Sequence, residues 1–292
     1  MDYYRRIQQA VDYIEAYLRE DLTIDRIAAQ AHFSPYHFQR VFQAVSGFSV
    51  WEYIRKRRMA EAAGLLKDTN QSVLEIALAV QYNSQEAFTR AFEGLFGITP
   101  GQYRKAEQSL NKLAKINFLN YHPKIKGEPQ INRIRLKDMP SVPVAGYAYR
   151  FDLASEQYYQ DIPTCWFEFY RQGMGKKIPH RVAPRIALGV ALDTCRDGAG
   201  PCELSYLIGA EVSDFEAPLD AGFQYYRIPG GKYGEFAVNG PIQTVENTFR
   251  YIYGTWFPNS SYERGEGPDI KAVQVNRSTS ERFEMNILIP LK

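Results

Sequence analysis

Along the first hundred residues, apolar side chains recur every three to four positions. Val11, Ile14, Tyr17 and Leu18 fall on one stripe of a helix, and the same spacing continues to about residue 107. Proline interrupts this stretch only at Pro35 and Pro100. From about residue 127 the pattern changes. Short runs rich in Val, Ile, Tyr and Phe, such as 142–149 and 204–210, alternate with Pro and Gly clusters, as strands and turns do. Helix-like segments interrupt them around 162–173 and 241–254. The expected fold is multidomain: an all-α part over 1–107, a basic linker over 108–126, and an α+β part over 127–292.

The helical part repeats itself at an offset of 50 residues. Ser34, Phe38, Arg40, Phe42, Gly47 and Tyr53 recur as Ser84, Phe88, Arg90, Phe92, Gly97 and Tyr103. The segments ahead correspond as well, Thr23 to Ala28 against Ser72 to Ala77. Each copy reads as helix, tight turn, helix. Thr23, Ser34, Ser72 and Ser84 are N-cap candidates, because a hydroxyl there can accept from free backbone N–H groups. Pro35 suits a first turn, and Gly47 and Gly97 stand where a helix end needs a left-handed residue.

At about 100° per residue, Phe38, Val41 and Phe42 share one face of the second helix, while Tyr36, Gln39, Arg40 and Gln43 share the opposite one. In the second copy Phe88, Phe92 and Leu95 form the apolar face. Glu86 and Arg90 lie opposite, with Ala87 and Thr89 at the margins. Such polar faces suit major-groove reading: Arg bonds guanine in bidentate fashion, Gln bonds adenine, and Glu accepts from cytosine. Ordinary solvated helical hairpins are the competing reading, less favoured because short capped pairs with a polar second helix have the geometry that docks on DNA. Residues 49–67 form one linking helix, which at 1.5 Å per residue spans roughly 28 Å. That reach compares with the ~34 Å recurrence of the major groove, so a single chain could read two successive grooves.

Charge changes this picture little. The net charge is +2, and residues 1–107 hold 13 Lys and Arg against 13 Asp and Glu, where a DNA-binding segment usually shows a basic excess. The positive charge is clustered, in Arg55 to Arg58 and in seven basic residues against one acid over 108–137. No apolar run resembles a secretory signal or reaches membrane-spanning length. Three cysteines, all in the second half, suit reduced thiols in a cytoplasmic protein. Four scattered histidines lack metal-ligand spacing, and neither a phosphate loop nor a nucleophile–base motif is present. No metal, cofactor or catalytic residue is expected, and the protein is not expected to be an enzyme.

Residues 8–105, above all FSPYHFQRVFQAVSGFSVWEYIRKRRMAEAAGLL and FTRAFEGLFGITPGQYR, resemble the AraC/XylS family of transcription regulators, specifically its Rob-like branch. The resemblance places Tyr36, His37, Gln39, Arg40 and Gln43 on a first DNA-reading helix, and Gln85, Glu86, Ala87, Thr89 and Arg90 on a second. It implies double-stranded DNA, a small-molecule effector and RNA polymerase as partners. LGVALD, SYLIGAEV, GGKYGEFAVNGP and YGTWFPNSSYERGEGPDI resemble a GyrI-like effector-binding domain, which implies two βαββ halves around an aromatic cleft. CELSYLIGA and RFEMNILIP echo one another in keeping with that duplication.

By the same resemblance Tyr147, Trp166, Tyr206, Phe236 and Trp256 are cleft candidates. Lys271 stands where relatives commonly place a glutamate, so an anionic or neutral aromatic or amphipathic effector fits at least as well as a cation, unless Glu168, Glu203 or Glu284 supplies an acid. Two rival functions follow from the same half: a hydrolase of strained drug rings, weakened by Lys271, and a drug-sequestering protein, weakened by the intact Arg40 and Arg90 faces.

Overall fold

The computed structural model describes residues 3–107, 109–120, 134–155, 157–193, 202–279 and 282–292. It divides into two compact units, residues 1–33 with 46–122 and residues 34–45 with 123–292. The helices of the amino-terminal half are α1 (Tyr3–Ala16), α2 (Ile24–Gln30), α3 (Pro35–Ser46), α4 (Val50–Asp68), α5 (Val73–Ala79), α6 (Gln85–Phe96) and α7 (Pro100–Lys105). All of α3 but Ser46 belongs to the second unit.

The repeat explains the local structure of the first unit. Ser84 caps α6 by accepting from the Ala87 N–H, and Gly97 ends the helix at φ +71°. A side chain with a Cβ would be strained at that angle. Around α5, the Ser72 hydroxyl accepts from the Glu75 N–H while Glu75 accepts from the Ser72 N–H, a reciprocal capping box. Thr23 has the extended backbone of an N-cap, but its buried hydroxyl makes no cap bond to α2. Phe88 and Phe92 pack with Met59, Leu66, Ile76, Val80 and Tyr103 in one core.

Two apolar expectations fail. Leu95 is exposed; Phe96, one position on, packs against Phe92 instead and takes the place in the core. Tyr17 is also exposed. Helix α1 ends at Ala16, so the helical stripe no longer governs its direction. Ser72→Ala removes one half of the capping box and should lower stability by about 1 kcal/mol. Thermal unfolding followed by circular dichroism checks this, and an unchanged midpoint would show that Glu75 alone holds the turn.

The basic run Arg55 to Arg58 is partly a clamp. Arg57 pairs with Glu15 through two bonds of 2.7 and 2.8 Å, and the Tyr53 hydroxyl donates to the same carboxylate. Arg58 donates to the carbonyls of Leu18 and Glu20. Residues 109–119, within the expected linker, contribute to this unit: Phe118 is buried and its N–H donates to Gln8. Residues 121–126 of that linker lie outside the described residues.

The second unit is built on one antiparallel sheet. Its strands are β1 (Ile134–Met139), β2 (Val142–Asp152), β3 (Ile186–Asp193), β4 (Glu203–Glu211), β5 (Phe223–Ile228), β6 (Gly231–Gly240), β7 (Asp269–Gln274) and β8 (Phe283–Pro290), in the order β1-β6-β8-β7-β3-β4-β2-β5. Helix α8 (Tyr158–Arg171) follows β2, and α9 (Ile242–Tyr251) follows β6, running into a π turn at Ile252–Trp256. The sequence β2-α8-β3-β4 therefore repeats as β6-α9-β7-β8, the expected βαββ duplication. The additional strands are exchanged: β1 pairs with β6 and β5 with β2, so each half has an edge covered by a strand preceding the other.

Side chains alternate across the sheet. Val144, Val190, Leu207, Ile228, Tyr233, Ile270 and Leu288 form a core on one face. The alternate positions, among them Tyr206, Gly189 and Lys271, point to the other. Cys202 is disulfide-bonded, while Cys165 is free and buried. The expectation of reduced thiols throughout is corrected accordingly; Cys195 lies outside the described residues. No helix among the described residues is long and apolar enough to cross a membrane.

Candidate nucleic-acid interface and effector cleft

On α6 the expected polar face is open. Gln85, Glu86 and Arg90 are exposed and Thr89 is half-buried, while Phe88 and Phe92 point into the core. The Ser84 cap fixes the first turn, so this face is presented by the helix end best held in place. The Glu86 carboxyl lies below its ordinary range because its own backbone N–H and the Ser84 hydroxyl bond it. It is an ionised acceptor.

Helix α3 is placed differently. Phe38, Val41 and Phe42 are buried as their spacing predicts, but Tyr36, His37 and Gln39 are buried too, and Arg40 and Gln43 are half-buried. The supposedly solvated face lies in the second unit. Gln39 Nε2 donates to the Leu153 carbonyl at 3.0 Å. The Arg40 guanidinium sits 3.5 Å from the centre of the Phe249 ring. His37 meets the Tyr253 ring edge-on, and Tyr36 lies beside Tyr158. Helical periodicity could not foresee this, because it separates apolar from polar positions but does not say what covers the polar ones.

The cleft itself forms between α8 and α9 over the central strands. Its cavity of about 120 Å³ is lined by Ile162 and Pro163 from α8, Val245, Glu246, Phe249 and Arg250 from α9, Lys271 from β7, and Arg40, Gln43 and Ala44 from α3. Lys271 Nζ lies 5.6 Å from the Tyr206 ring and 5.8 Å from that of Phe249. Burial, reinforced by the Arg40 guanidinium, pushes its pKa down to about 7.

Trp166 donates to the Tyr206 hydroxyl at 3.1 Å. Gly189, paired with Lys271 across β3 and β7, makes room for both rings: a Cβ there would come within 2.3 Å of the Tyr206 hydroxyl and 2.5 Å of the indole. Burial holds the Tyr206 phenol well above its ordinary range and therefore neutral.

Of the seven predicted effector residues, Trp166, Tyr206 and Lys271 come together. Tyr147 packs instead against Tyr149 and Phe223. Phe236 meets Trp256 edge-on, and Trp256 stacks on Tyr262, a separate aromatic group. Glu168 is half-buried on α8 and is not among the residues lining the cavity. The α9 contributors were missed, although Val245, Glu246, Phe249 and Arg250 at i, i+1, i+4 and i+5 mark one helical stripe. Among the described residues no group of His, Cys, Asp and Glu side chains could hold a metal ion.

A repeated helix pair, its second copy capped and with an exposed polar face on α6, followed by a duplicated sheet with a helix-walled cleft, defines a helix-turn-helix DNA-binding protein with a ligand-receiving unit. Residues 7–106 match the helix-turn-helix domain family, and residues 135–291, more than half of the chain, match the family of the integron-associated effector binding protein. The right origin-binding protein of Escherichia coli (strain K12) is 26% identical over 273 residues, covering 93% of this chain and 91% of that protein. The HTH-type transcriptional activator AarP of Providencia stuartii is 39% identical over 107 residues, covering 37% of this chain and 79% of AarP. The crystal structure of an AraC-type transcriptional regulator from Chromobacterium violaceum superposes with a TM-score of 0.34 at 30% identity, covering 35% of this chain and 90% of that one. The chain belongs to the AraC/XylS family of transcription regulators and carries an effector-binding domain of the GyrI-like, integron-associated kind. It is a DNA-binding transcription regulator that responds to an effector.

Proposed function

We propose that the protein reads an asymmetric duplex in two successive major grooves, using Tyr36, His37, Gln39, Arg40 and Gln43 of α3 and Gln85, Glu86, Thr89 and Arg90 of α6. A small aromatic or amphipathic effector, anionic or neutral, enters the cleft at Lys271 and packs on its aromatic walls. The exposed, capped amino-terminal face of α6 is the observation that carries this reading. The 50-residue repeat and the 19-residue α4 between its copies support the use of two grooves by one chain. Residues 1–107 serve DNA, 127–292 serve the effector, and 108–126 join them. The protein acts in the cytoplasm as a binding protein rather than an enzyme, with RNA polymerase as its partner at the promoter.

Arg90→Ala is the direct test. On the duplex that the full-length protein selects from a random library, it should weaken binding by roughly 1–3 kcal/mol, the scale of a bidentate base contact. Binding to random DNA, which phosphate contacts supply, should change much less. Equal losses on both DNAs, measured by fluorescence anisotropy, would show that Arg90 touches only the backbone.

A further inference from the structure

Three observations concern one place. The cleft between α8 and α9 is filled by a helix of the same chain, and that helix carries the first set of proposed base-reading residues. The side chains that would read bases are the ones in contact: Gln39 is bonded to the Leu153 carbonyl, Arg40 sits over the Phe249 ring, and His37 meets Tyr253. Gln39 is only 1% exposed. A base edge cannot reach a side chain buried in this way. With α3 in place the space left is about 120 Å³, whereas sites for drug-sized ligands run to roughly 300–1,000 Å³. An aromatic effector and α3 therefore cannot share the cleft.

We infer that α3 is the internal ligand of the effector cleft, withholding Gln39 and Arg40 from DNA until an effector takes the place of the helix. This deepens the proposed function by assigning the regulation of its ligand site. The Arg40 guanidinium over the Phe249 ring does what a planar aromatic ligand would do, stacking on an apolar wall. The contact is releasable because Arg40 and Lys271 are like charges lining the same cavity, with Arg250 nearby and Glu246 the acid among its lining residues. An effector that fills the cleft binds only the undocked state, and shifts the population by its full preference for that state. Effector binding and DNA binding thus reinforce one another.

The test loosens the docked helix from the cleft side, leaving every proposed DNA-reading residue intact. Phe249→Leu keeps apolar bulk but removes the ring face; Phe249→Ala removes more. In the full chain, both should tighten binding to the selected duplex by roughly three- to tenfold, the scale of one lost cation–π contact. A second readout needs neither DNA nor effector. A cysteine at position 39 (Gln39→Cys) should react with a maleimide at least about tenfold more slowly than one at position 85 (Gln85→Cys) on the open α6 face, because reaction requires the helix to leave. Adding Phe249→Leu should speed it several-fold, with peptide mass mapping separating it from the native cysteines.

Equal labelling at positions 39 and 85 in the otherwise wild-type chain would overturn the docking. Faster labelling in the Phe249 variants with unchanged DNA affinity would overturn its role in regulation. Selection of no duplex by either protein would overturn the DNA-reading function itself, and the labelling contrast distinguishes that result from a failure of docking.

Discussion

Asp269→Ala should lower the stability of the second unit by about 3–5 kcal/mol, the range for removing one partner of a buried ion pair. Asp269 is 4% exposed and begins β7, two residues before Lys271. Arg264 donates to Asp269 Oδ1 at 2.8 Å, and the Tyr253 hydroxyl donates to Oδ2 at 2.8 Å. The guanidinium also bonds the carbonyls of Gly265 and Gly267, which fixes the turn leading into the strand. Burial alone would lower the Arg264 pKa, but the Asp269 carboxylate overrides it and holds the group above its ordinary range.

Without Asp269 a buried cation loses its counter-charge and Tyr253 loses its acceptor. Tyr253 stacks between Phe249 and Phe257, so the damage should spread to the α9 wall of the cleft. Urea unfolding followed by intrinsic fluorescence measures the loss. The paired replacement Arg264→Met with Asp269→Leu should recover most of it, since no charge is then left alone. A single variant within about 1 kcal/mol of wild type would mean that water reaches the pair.

The second large effect centres on Lys271. Its pKa of about 7 in the folded protein lies below the ordinary 10.5. Unfolding above neutrality therefore takes up a proton, and stability should rise with pH from about 7 to about 10. Below 7 the lysine is charged in both states and contributes no slope. Lys271→Met should flatten the dependence and, near pH 6, stabilise the second unit by roughly 1–3 kcal/mol, because no buried ammonium then needs accommodating. A thermal-melt series across pH reads both.

The same residue should choose the sign of the ligand. On a calorimetric panel of matched anionic, neutral and cationic aromatics at pH 6, wild type should prefer the anion. Lys271→Glu should shift the anion-to-cation preference by roughly a hundredfold, as expected for reversing a charge in a poorly hydrated cleft. An unchanged order of preference would assign the selectivity to Arg250 or Glu246, the charged groups that α9 contributes to the cavity.

The amphipathic spacing of α3 and α6 was legible because a helix must cover its apolar stripe, whatever surrounds it. The capping hydroxyls of Ser72 and Ser84 and the left-handed Gly97 were legible for a similar reason: a helix end leaves the same backbone groups unpaired in any fold. Lys271 departs from the resembling motif at a position legible in the sequence, and its place on β7 brings it to the cleft. Leu95 was misplaced because helical phase cannot decide between it and Phe96 at the last turn.

The cleft residues separate the two levels further. Tyr147, Trp166, Tyr206, Phe236 and Trp256 are alike as aromatic positions in a strand or helix. Which of them meet depends on the strand order and on the exchange of β1 and β5, both set by contacts between residues far apart in the chain. The missed α9 stripe became a wall only when packed over β7.

The sequence by itself determined the local units, a repeated capped helix pair and the long helix α4 between its copies, while the βαββ duplication was implied by the resemblance alone. The local units follow from backbone valence and the period of apolar burial, which act over one or two turns. Only the tertiary structure decided that the Gln39 and Arg40 face of α3 is enclosed while the Arg90 face of α6 is open. Both helices have a polar face of similar make-up, so their exposure is set by what packs on that face. Phe249, Tyr253 and the Leu153 carbonyl do so for α3, from more than a hundred residues away along the chain.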